Sequence, residues 1–403
     1  MHEPADFDSI RRVSGPSHVL CLNAGSSSLK LAVYALGNGE ALRCDGAVEG
    51  VASEHGRMWL RDAGGNVIVE RAAPVRDHAE GAARLLDSLG DEASALLAAG
   101  HRLVHGGPAP QRIDAALLAE LRGLLPLAPL HLPGALAAIE AVGRVLPTLP
   151  QVACFDTAFH HALPELAQRL PLPRLLFDEG VRRYGFHGLS YEFVVRSLGA
   201  ELRARTVVAH LGSGVSLVAL RDGVPIDTTM SFTPTGGVMM GTRSGDLDPG
   251  ILLFLLREKG FDLARLARLV DQEAGLLGVS GSSAEMKTLL ERRAHDPAAR
   301  EAVAMFCYRI RCAIGALAAA LGGLDLLVFT GAIGERSPEV RREICSGLEH
   351  LGVWLAPRAR GDRISTEEAP CAVRVVPTNE NLMVARHTLA VVLAGESEGA
   401  TAG

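Results

Sequence analysis

The chain has 403 residues, of which 48% are hydrophobic and 21% charged, and its formal net charge is −6. A chain of this length is expected to form two or three domains with large cores. Because nucleic-acid binding needs a basic surface and stacking rings, the acidic balance and the 4% aromatic content exclude nucleic acid as an expected partner.

The cysteines and the start of the chain predict a cytoplasmic protein. The seven cysteines are scattered and never spaced as CxxC, which is typical of reduced, mostly buried residues. The first ten residues, MHEPADFDSI, lack the hydrophobic centre of a signal peptide. The longest uncharged helical run, residues 312–324, is too short and too rich in glycine to cross a membrane, so we expect no membrane partner.

The first structured element is predicted at residues 20–33, LCLNAGSSSLKLAV, after a polar extension, residues 1–16, that we expect to be disordered. Two apolar runs flank a turn of glycine and serine, which favours a β-hairpin. Backbone N–H groups and hydroxyls in such a turn can contact phosphate oxygens, and Lys30 adds a positive charge. An ordinary solvated turn is the alternative.

Short strands and two helices are predicted next, the strands at 41–48, 57–60 and 67–69 and the helices at 79–89 and 115–124. Between the helices, HRLVHGG (101–107) is typical of a buried strand that runs into a glycine loop. Arg102 in this strand is either a surface cation or a clamp for an anion. Three prolines in PLAPLHLP place His131 in a rigid loop, where a structural role is the commoner one.

Residues 151–155 predict a buried strand that ends at Asp156. In open α/β sheets the carboxyl end of a strand is a usual place for a catalytic or metal-associated carboxylate, although capping of a turn explains Asp156 equally well. In the next motif, RRYGFHGLSYEF, His187 lies between two glycines at a predicted helix start.

A second hairpin is predicted at residues 207–220, VVAHLGSGVSLVAL, which repeat the pattern of the first. The repeat indicates duplication, with each half of the chain offering one hairpin to the phosphate tail of a nucleotide. The patterns GxxxxGK[ST] and GxGxxG are absent, which argues against a Walker-type NTPase and a Rossmann dehydrogenase.

The rest of the chain alternates between loops and helices. Residues 233–250, TPTGGVMMGTRSGDLDPG, predict a substrate loop that carries Arg243 and ends where Asp248 and Pro249 start a helix. Further helices are predicted at 263–271 and 297–321.

A strand at 325–329, a loop at 330–336 (TGAIGER) and a helix start at Ser337 together favour a nucleotide seat. A strand at 372–376 then precedes a closing helix that Thr378 is expected to cap.

Eight short motifs in this chain resemble those of the acetate kinase family, within the superfamily of acetate and sugar kinases, Hsp70 and actin. They are LNAGSSSLK, HRLVHGG, FDTAFH, YGFHG, AHLGSG, GTRSGDLDPG, FTGAIGE and PTNENL. Each motif is weak alone, but eight in family order over residues 19–393 are highly specific.

The resemblance implies an α/β, two-domain actin-like ATPase fold with duplicated βββαβαβα cores and an interdomain cleft. Domain I would comprise residues 17–157 and 386–403. Domain II would comprise residues 158–385, bind the nucleotide and form the interface of a homodimer. The final helix would pack back on domain I.

The resemblance also implies a role for each matching residue. The catalytic group would be Asp156, Arg102, Arg243, His187 and His131. The phosphates of ATP or ADP would contact two loops, formed by Asn23, Ser26, Ser28 and Lys30 and by His210, Leu211, Gly212, Ser213 and Gly214. The adenosine would lie against Glu285, Met286, Lys287, Ala332, Ile333, Gly334, Glu335 and Arg336.

Metal and acyl sites follow from the same resemblance. Mg²⁺, which Mn²⁺ can replace, would be held by Asn23 and Glu380 and through water by Asp156. The two arginines would hold the acyl phosphate oxygens, and the two histidines would donate to the transferring phosphoryl group. The acetate methyl would lie among Val104, Leu130, Phe186 and Pro234.

The chain departs from the family mainly around the nucleotide. Asn is usual at Ser213 and Arg336, Asp and Arg at Glu285 and Lys287, a polar residue at Leu132, and a second Glu at Asn381. The implied reaction is reversible phosphorylation of acetate by ATP through direct in-line transfer. A propionate kinase, a sugar or alcohol kinase of the same fold, and a noncatalytic ATP-switch protein are the alternatives.

Overall fold

The structure is a computed structural model that describes residues 17–37 and 39–401. The extension predicted at residues 1–16 lies outside the described residues. The described chain forms two compact units: the first runs to residue 159 and resumes at residue 379, and the second comprises residues 160–378.

The first unit contains one eight-stranded sheet in the order β5-β4-β3-β2-β1-β6-β8-β7. Its strands are β1 (Ser17–Ala24), β2 (Ser28–Leu36), β3 (Glu40–Glu49), β4 (Arg57–Asp62), β5 (Val67–Ala72), β6 (Leu96–Leu103), β7 (Gln111–Arg112) and β8 (Gln151–Phe155). Its helices are α1 (His78–Asp87), α2 (Asp91–Ser94), α3 (Ala115–Gly123), α4 (Leu132–Val145) and the final helix (Glu380–Thr401). Strands β1 to β5 are antiparallel, whereas β1, β6 and β8 are parallel neighbours.

The two faces of this sheet are covered by different helices. Because side chains alternate along a strand, Leu20 and Leu22 of β1 join the core formed with α1 and α4. Cys21 faces the other way, and its Sγ lies 3.2 Å from the backbone oxygen of Asn381 in the final helix. The final helix thus packs on the first unit, as predicted.

The second unit contains a seven-stranded sheet in the order β11-β10-β9-β12-β15-β14-β13. Its strands are β9 (Arg205–Leu211), β10 (Val215–Arg221), β11 (Val224–Thr228), β12 (Leu326–Thr330), β13 (Leu355–Arg360), β14 (Arg363–Ser365) and β15 (Ala372–Val375). Its helices are α5 (Glu165–Gln168), α6 (Arg174–Asp178), α7 (Gly188–Leu198), α8 (Pro249–Glu258), α9 (Leu263–Arg268), α10 (Gly275–Ser280), α11 (Met286–Arg292), α12 (Pro297–Leu321), α13 (Gly331–Arg336) and α14 (Pro338–Cys345).

The two sheets share one strand arrangement, which confirms the predicted duplication. In each, an antiparallel three-strand meander is followed by two parallel strands: β3-β2-β1-β6-β8 in the first unit and β11-β10-β9-β12-β15 in the second. Both predicted hairpins are present as β1–β2 and β9–β10. The fold is therefore the predicted α/β class with two related cores.

Helix α12 is, within the described part of the chain, the one helix long and apolar enough to span a membrane by length and composition. Asp296 caps its start, because the Asp296 side chain accepts hydrogen bonds from the backbone N–H groups of Ala298 and Ala299, and Gly322, with φ 75°, caps its end. Ten of its residues are buried, which is the environment of a core helix.

His131 lies in a turn directly before α4, where the prolines of PLAPLHLP placed it, and Pro133 occupies the first turn of that helix, where its missing N–H costs nothing. Two other local predictions were wrong. Residues 331–336 form α13 rather than a loop, and the Glu335 carboxylate accepts a hydrogen bond of 3.0 Å from the Gly331 N–H. The final helix is capped by Asn379, whose Oδ1 accepts from the Leu382 N–H at 3.0 Å, and not by Thr378.

The two units divide the chain after Phe159 and after Thr378. The sequence analysis divided it after residue 157 and after residue 385, and those domain boundaries stay a prediction. The described part of the final helix, Glu380–Thr401, falls within the first unit.

Candidate functional site

The first unit gathers polar side chains where its three parallel strands end. Asn23 and Arg102 are register partners on β1 and β6, and Asp156 directly follows β8. The carboxyl ends of parallel strands meet at one edge of a sheet, so these side chains come together. Glu380, the first residue of the final helix, completes the group, which we call the carboxylate cluster.

Arg102 is the centre of the carboxylate cluster. Its Nε and Nη2 donate to the two carboxylate oxygens of Asp156 at 3.1 and 2.6 Å. Its Nη1 donates to Asn23 Oδ1 at 3.2 Å, and its Nε lies 3.7 Å from Glu380 Oε2. A guanidinium held by two parallel hydrogen bonds has a fixed orientation.

Burial and charge act in opposite directions on Arg102. Burial alone would lower the pKa of its guanidinium, but the negative charges of Asp156 and Glu380 outweigh burial and raise that pKa above its ordinary value. The Asp156 side chain is only 1% exposed. The cluster therefore holds a permanent cation and two carboxylates in a site with little water.

The donor chemistry of the carboxylate cluster fits Mg²⁺. An amide and two carboxylates supply the hard oxygen ligands that this ion prefers. Among the described residues no group of three or more His, Cys, Asp or Glu side chains is arranged to hold a metal on its own. A Mg²⁺ ion in proteins usually keeps several waters and binds through one or two carboxylates and substrate phosphates, so a complete protein cage is not required.

The first hairpin turn lies beside the cluster. Lys30 of β2 is the cross-strand partner of Asn23 and is exposed. The turn is closed by a hydrogen bond from the Gly25 N–H to the Ser28 carbonyl at 2.8 Å, and His78 Nε2 donates to the Gly25 carbonyl at 2.7 Å. Ser26 lies exposed at the tip of this turn. Ser26 and Lys30 are thus accessible to a ligand, whereas Ser28 is half-buried.

The second unit assembles nitrogen donors around the turn of its hairpin, Gly212–Ser213–Gly214. A Cβ built on Gly214 would lie 3.2 Å from His187 Nε2 and 3.4 Å from Arg243 Nη2, and one on Gly212 would lie 3.4 Å from His210 Nε2. Glycine at 212 and 214 therefore leaves room at the tips of these side chains. Two imidazoles and one guanidinium around a glycine turn form a site suited to a phosphate-sized anion.

His187 has an unusual backbone conformation. Its φ is 59°, in the left-handed region that non-glycine residues rarely adopt, and it directly precedes α7. Its backbone oxygen accepts a hydrogen bond from the Tyr191 N–H at 3.1 Å. Such strain is often found at functional residues, because the surrounding structure must hold it.

The rings of His187 and His210 are stacked, with centroids 4.2 Å apart and an interplanar angle of 22°. Two imidazolium rings at this separation would repel each other by about 4 kcal/mol at an effective dielectric constant of about 20. Arg243, whose charge is permanent, adds to this repulsion. We therefore expect that the two rings are not both protonated at neutral pH.

Arg243 is held by the backbone of the predicted substrate loop. Its Nη1 donates to the Pro234 carbonyl at 2.9 Å, and the Gly241 N–H donates to the Ser213 carbonyl at 3.3 Å. Pro234 itself is buried. The loop thus brings Arg243 to the hairpin turn with its second terminal nitrogen facing Gly214.

The predicted nucleotide seat is a short helix rather than a loop. Glu335 accepts hydrogen bonds from the N–H groups of Gly331 at 3.0 Å and Thr378 at 3.1 Å, so its carboxylate ties α13 to the segment after β15. Gly331 has φ 77°, and a Cβ there would lie 2.8 Å from the Leu211 carbonyl. The close approach places α13 against the end of β9, next to the second hairpin turn.

Other predicted residues have less defined surroundings. Met286 is buried at the start of α11, after Glu285, whose N–H donates to Ser283 Oγ at 3.0 Å. His131 precedes α4 and is half-buried, as is Leu130 beside it, and Phe186 is only 1% exposed. The roles predicted for these residues in binding adenosine, phosphoryl and acyl groups stay predictions.

Sequence reasoning missed the side chains that support the histidines. Ser216 Oγ lies 2.8 Å from His187 Nδ1 and also contacts the Tyr191 hydroxyl, while Ser190 Oγ lies 2.8 Å from His210 Nδ1. Ser190 and Tyr191 belong to the motif YGFHGLSY, where their spacing of three and four residues from His187 was the available signal. The contact of His187 with Ser216 joins two distant segments and has no local signature.

Three further histidines, which we call the core histidines, are His101, His105 and His160; the ring of His160 packs edge-on against that of Tyr191, with centroids 5.6 Å apart. Each is at most 2% exposed. Burial lowers the pKa of each imidazole to about 4, although hydrogen bonds to Gln151 and to the Phe186 carbonyl oppose this effect at His101 and His160. The core histidines are therefore neutral at pH 7.

Comparison with known proteins gives consistent matches over nearly the whole chain. The model of the Acetokinase family matches residues 18–386. The acetate kinase of Rhodopseudomonas palustris is 44% identical over 388 residues, covering 92% of this chain and 97% of that protein.

Two solved structures are also similar. The acetate kinase of Porphyromonas gingivalis has a TM-score of 0.83 and 35% identity, covering 93% of this chain and 100% of that one. The propionate kinase of Francisella tularensis has a TM-score of 0.86 and 31% identity, with coverages of 93% and 99%.

Proposed function

Since the chain belongs to the Acetokinase family, we propose that it transfers the terminal phosphoryl group of ATP to acetate, giving ADP and acetyl phosphate, and catalyses the reverse reaction. Within the chain, the main support for this proposal is the group of nitrogen donors around Gly212–Ser213–Gly214. His187, His210 and Arg243 supply there the fixed donors and positive charge that a transferring phosphoryl group needs.

The mechanism we propose is direct in-line transfer. A metaphosphate-like transition state spreads negative charge over its equatorial oxygens, so catalysis depends mainly on positioned donors. His187 and Arg243 would donate to these oxygens, and His131 would assist them. Inversion of configuration at a chiral phosphorus would support a single transfer, whereas retention would require a phosphoenzyme.

No general base is needed for this acceptor. Acetate, like a glutamate side chain with a pKa of about 4.3, is ionised at neutral pH. Arg102 would hold a carboxylate or acyl phosphate oxygen, because Asp156 and Asn23 fix its guanidinium. Asp156 therefore acts as an orienting group for Arg102.

The residues expected to hold the metal differ from those expected to hold the nucleotide. Mg²⁺, or Mn²⁺ in its place, would neutralise phosphate charge when bound by Asn23 and Glu380 and, through water, by Asp156. Ser26, Ser28 and Lys30 would contact phosphates, as would residues 210–214. The adenosine would lie against residues 285–287 and 332–336, where several side chains depart from the family pattern.

The acyl pocket sets the choice between acetate and propionate. Val104, Leu130, Phe186 and Pro234 would contact the acyl chain. One methylene in an apolar pocket is worth about 1 to 3 kcal/mol, so propionate is the second candidate substrate. A solved propionate kinase among the similar structures favours testing it.

We also propose that the protein is a cytoplasmic homodimer that associates through the second unit. This unit exposes large apolar side chains at Leu247, Ile251, Phe254, Leu263 and Tyr308, each between 43% and 78% exposed. Exposed apolar residues of this kind are common at association surfaces. Light scattering coupled to gel filtration tests the proposal, and a monomeric mass at micromolar concentration would contradict it.

The activity is tested by trapping acyl phosphate as the hydroxamate with Mg²⁺ATP and acetate, propionate, butyrate or glycerol, together with a measurement of ADP release. We expect hydroxamate with acetate, and the ratio of kcat/KM values decides between acetate and propionate. ADP release with glycerol but without hydroxamate would indicate an alcohol kinase. Slow ATP hydrolysis that no acceptor changes would indicate an ATP-switch protein.

A further inference from the structure

We propose that Tyr191, Ser216 and Ser190 are positioning residues that hold His187 and His210 in the tautomer with the proton on Nε2. The three hydroxyl groups lie behind the two imidazoles, on the side of Nδ1. The consequence of this proposal for catalysis rests on the proposed function, whereas the tautomer itself does not.

One turn of helix and one pair of strands bring the two histidines and the three hydroxyl groups together. His187, Ser190 and Tyr191 are spaced three and four residues apart at the start of α7, so their side chains share a face. His210 and Ser216 are cross-strand partners on β9 and β10. The Ser190 hydroxyl on α7 therefore contacts His210 of β9, and the Tyr191 hydroxyl contacts Ser216 of β10.

Chemistry sets the direction of these hydrogen bonds. A phenol is a stronger acid than a serine hydroxyl, so Tyr191 is the donor to Ser216 Oγ. Ser216 then directs its own proton to His187 Nδ1, 2.8 Å away. A neutral imidazole whose Nδ1 accepts carries its proton on Nε2.

Ser190 does the same for His210. Its hydroxyl lies 2.8 Å from His210 Nδ1, and donation to this nitrogen places the proton of His210 on Nε2. Because the two stacked rings and Arg243 repel further positive charge, neutral rings are the state in which the choice of tautomer matters.

Burial makes this arrangement rigid. Ser190, Tyr191 and Ser216 are all 0% exposed, so water cannot replace a missing partner. The Nε2 atoms of both histidines face the glycine turn, where a phosphoryl group would bind. Two neutral N–H donors thus join one permanent cation at the site, and the hydroxyls behind them keep either ring from presenting an acceptor to the anion.

The direct test is nitrogen NMR of the full-length protein labelled with [¹⁵N]histidine, at pH 7 and without ligands. The variants His187→Asn and His210→Asn assign the two signals. We expect both rings to be neutral with the proton on Nε2. A ring with its proton on Nδ1, or a doubly protonated ring, overturns the proposal for that histidine.

The second test is the variant Ser216→Ala. We expect His187 to populate both neutral tautomers and kcat to fall by about 10- to 100-fold, because a donor to the transition state is partly lost. Tyr191→Phe removes one neutral hydrogen bond one step further away, and we expect about a fivefold fall in kcat. An unchanged tautomer in folded Ser216→Ala overturns the proposal.

Two variants separate positioning from general stability. Ser216→Thr restores a hydroxyl, and we expect it to recover the single tautomer and most of kcat. Thr206→Val is the matched control, because Thr206 is also 0% exposed on β9 and its hydroxyl donates to the Arg203 carbonyl at 2.8 Å, away from the histidines. We expect Thr206→Val to change thermal unfolding but neither the tautomers nor kcat.

The two tests also distinguish this inference from the proposed function. If no acyl phosphate is formed by the wild-type protein, the proposed function fails while the NMR spectrum still decides the tautomers. If acyl phosphate is formed but Ser216→Ala keeps the wild-type kcat and tautomer, the function stands and the inference fails.

Discussion

Replacing Asp156 by asparagine tests the buried ion pair at the centre of the carboxylate cluster. The new side chain keeps one oxygen for Arg102 Nε but places an amide NH₂ against Arg102 Nη2, where the carboxylate now accepts at 2.6 Å. The Arg102 side chain is 17% exposed, so water replaces the lost bond poorly.

The size of the effect follows from this geometry. A hydrogen bond to a charged group contributes about 1.5 to 3 kcal/mol, and removing one partner of a buried pair costs about 3 to 5 kcal/mol. Glu380, 3.7 Å from Arg102 Nε, compensates in part. We therefore expect Asp156→Asn to lower the free energy of unfolding by about 3 kcal/mol, which for a unit of this size lowers the unfolding temperature by about 6 to 12 °C.

Calorimetry and the hydroxamate assay measure the two consequences. We expect kcat to fall by about 100-fold or more, because Arg102 loses its fixed orientation. The matched control is Glu140→Gln, which breaks the exposed pair of Arg122 and Glu140 in the same unit, also at a short distance of 2.9 Å. An exposed pair contributes less than about 1 kcal/mol, so the control should unfold and react like the wild type. Wild-type unfolding temperature and turnover in Asp156→Asn would refute the reasoning.

Three further predictions test other parts of the chain. In Gly100→Ala the new Cβ would lie 2.1 Å from Thr388 Oγ1 of the final helix, so we expect a loss of about 1 to 3 kcal/mol in urea unfolding, and no loss would contradict the packing. In Gly214→Ala the new methyl would lie 3.2 Å from His187 Nε2. We expect kcat to fall more than tenfold with little change in unfolding temperature. A loss of kcat accompanied by a comparable loss of stability would argue against an anion site. The core histidines have folded-state pKa values of about 4, below the ordinary 6.5. Each therefore contributes about 3 kcal/mol to the free energy of unfolding above pH 6.5, and this contribution is lost as the pH falls toward 4. A urea midpoint that stays constant from pH 7 to pH 4.5 would contradict this prediction.

The hairpins and the position of Asp156 could be predicted because they depend on local patterns. Alternating apolar residues on both sides of a glycine and serine turn specify β1–β2 and β9–β10, and a polar residue after a buried strand marks the sheet edge. The parallel order of β1, β6 and β8 then brings Arg102 to Asp156 across 54 residues. That contact was not predicted, because it depends on which strands are neighbours in the sheet and not on a local pattern.

The errors arose where tertiary contacts determine local structure. Glu335 stabilises α13 through a bond to Thr378, which is 43 residues away and invisible to a local pattern. The partnership of Ser216 with His187 was missed for the same reason, because it depends on how α7 packs on β10.

The position of the final helix has a consequence for synthesis of the protein. One face of the first sheet, including Cys21 and Cys154, is covered by the final helix. The ribosome makes all of the second unit after the strands of this sheet and before that helix. At 5 to 20 residues per second, the 219 residues of His160–Thr378 take roughly 10 to 40 s. During that interval the nascent first unit exposes an apolar strand surface of the kind that chaperones bind. Glu380 is made together with the same helix, so the nascent chain gains the cover of its sheet and the last member of the carboxylate cluster in a single step.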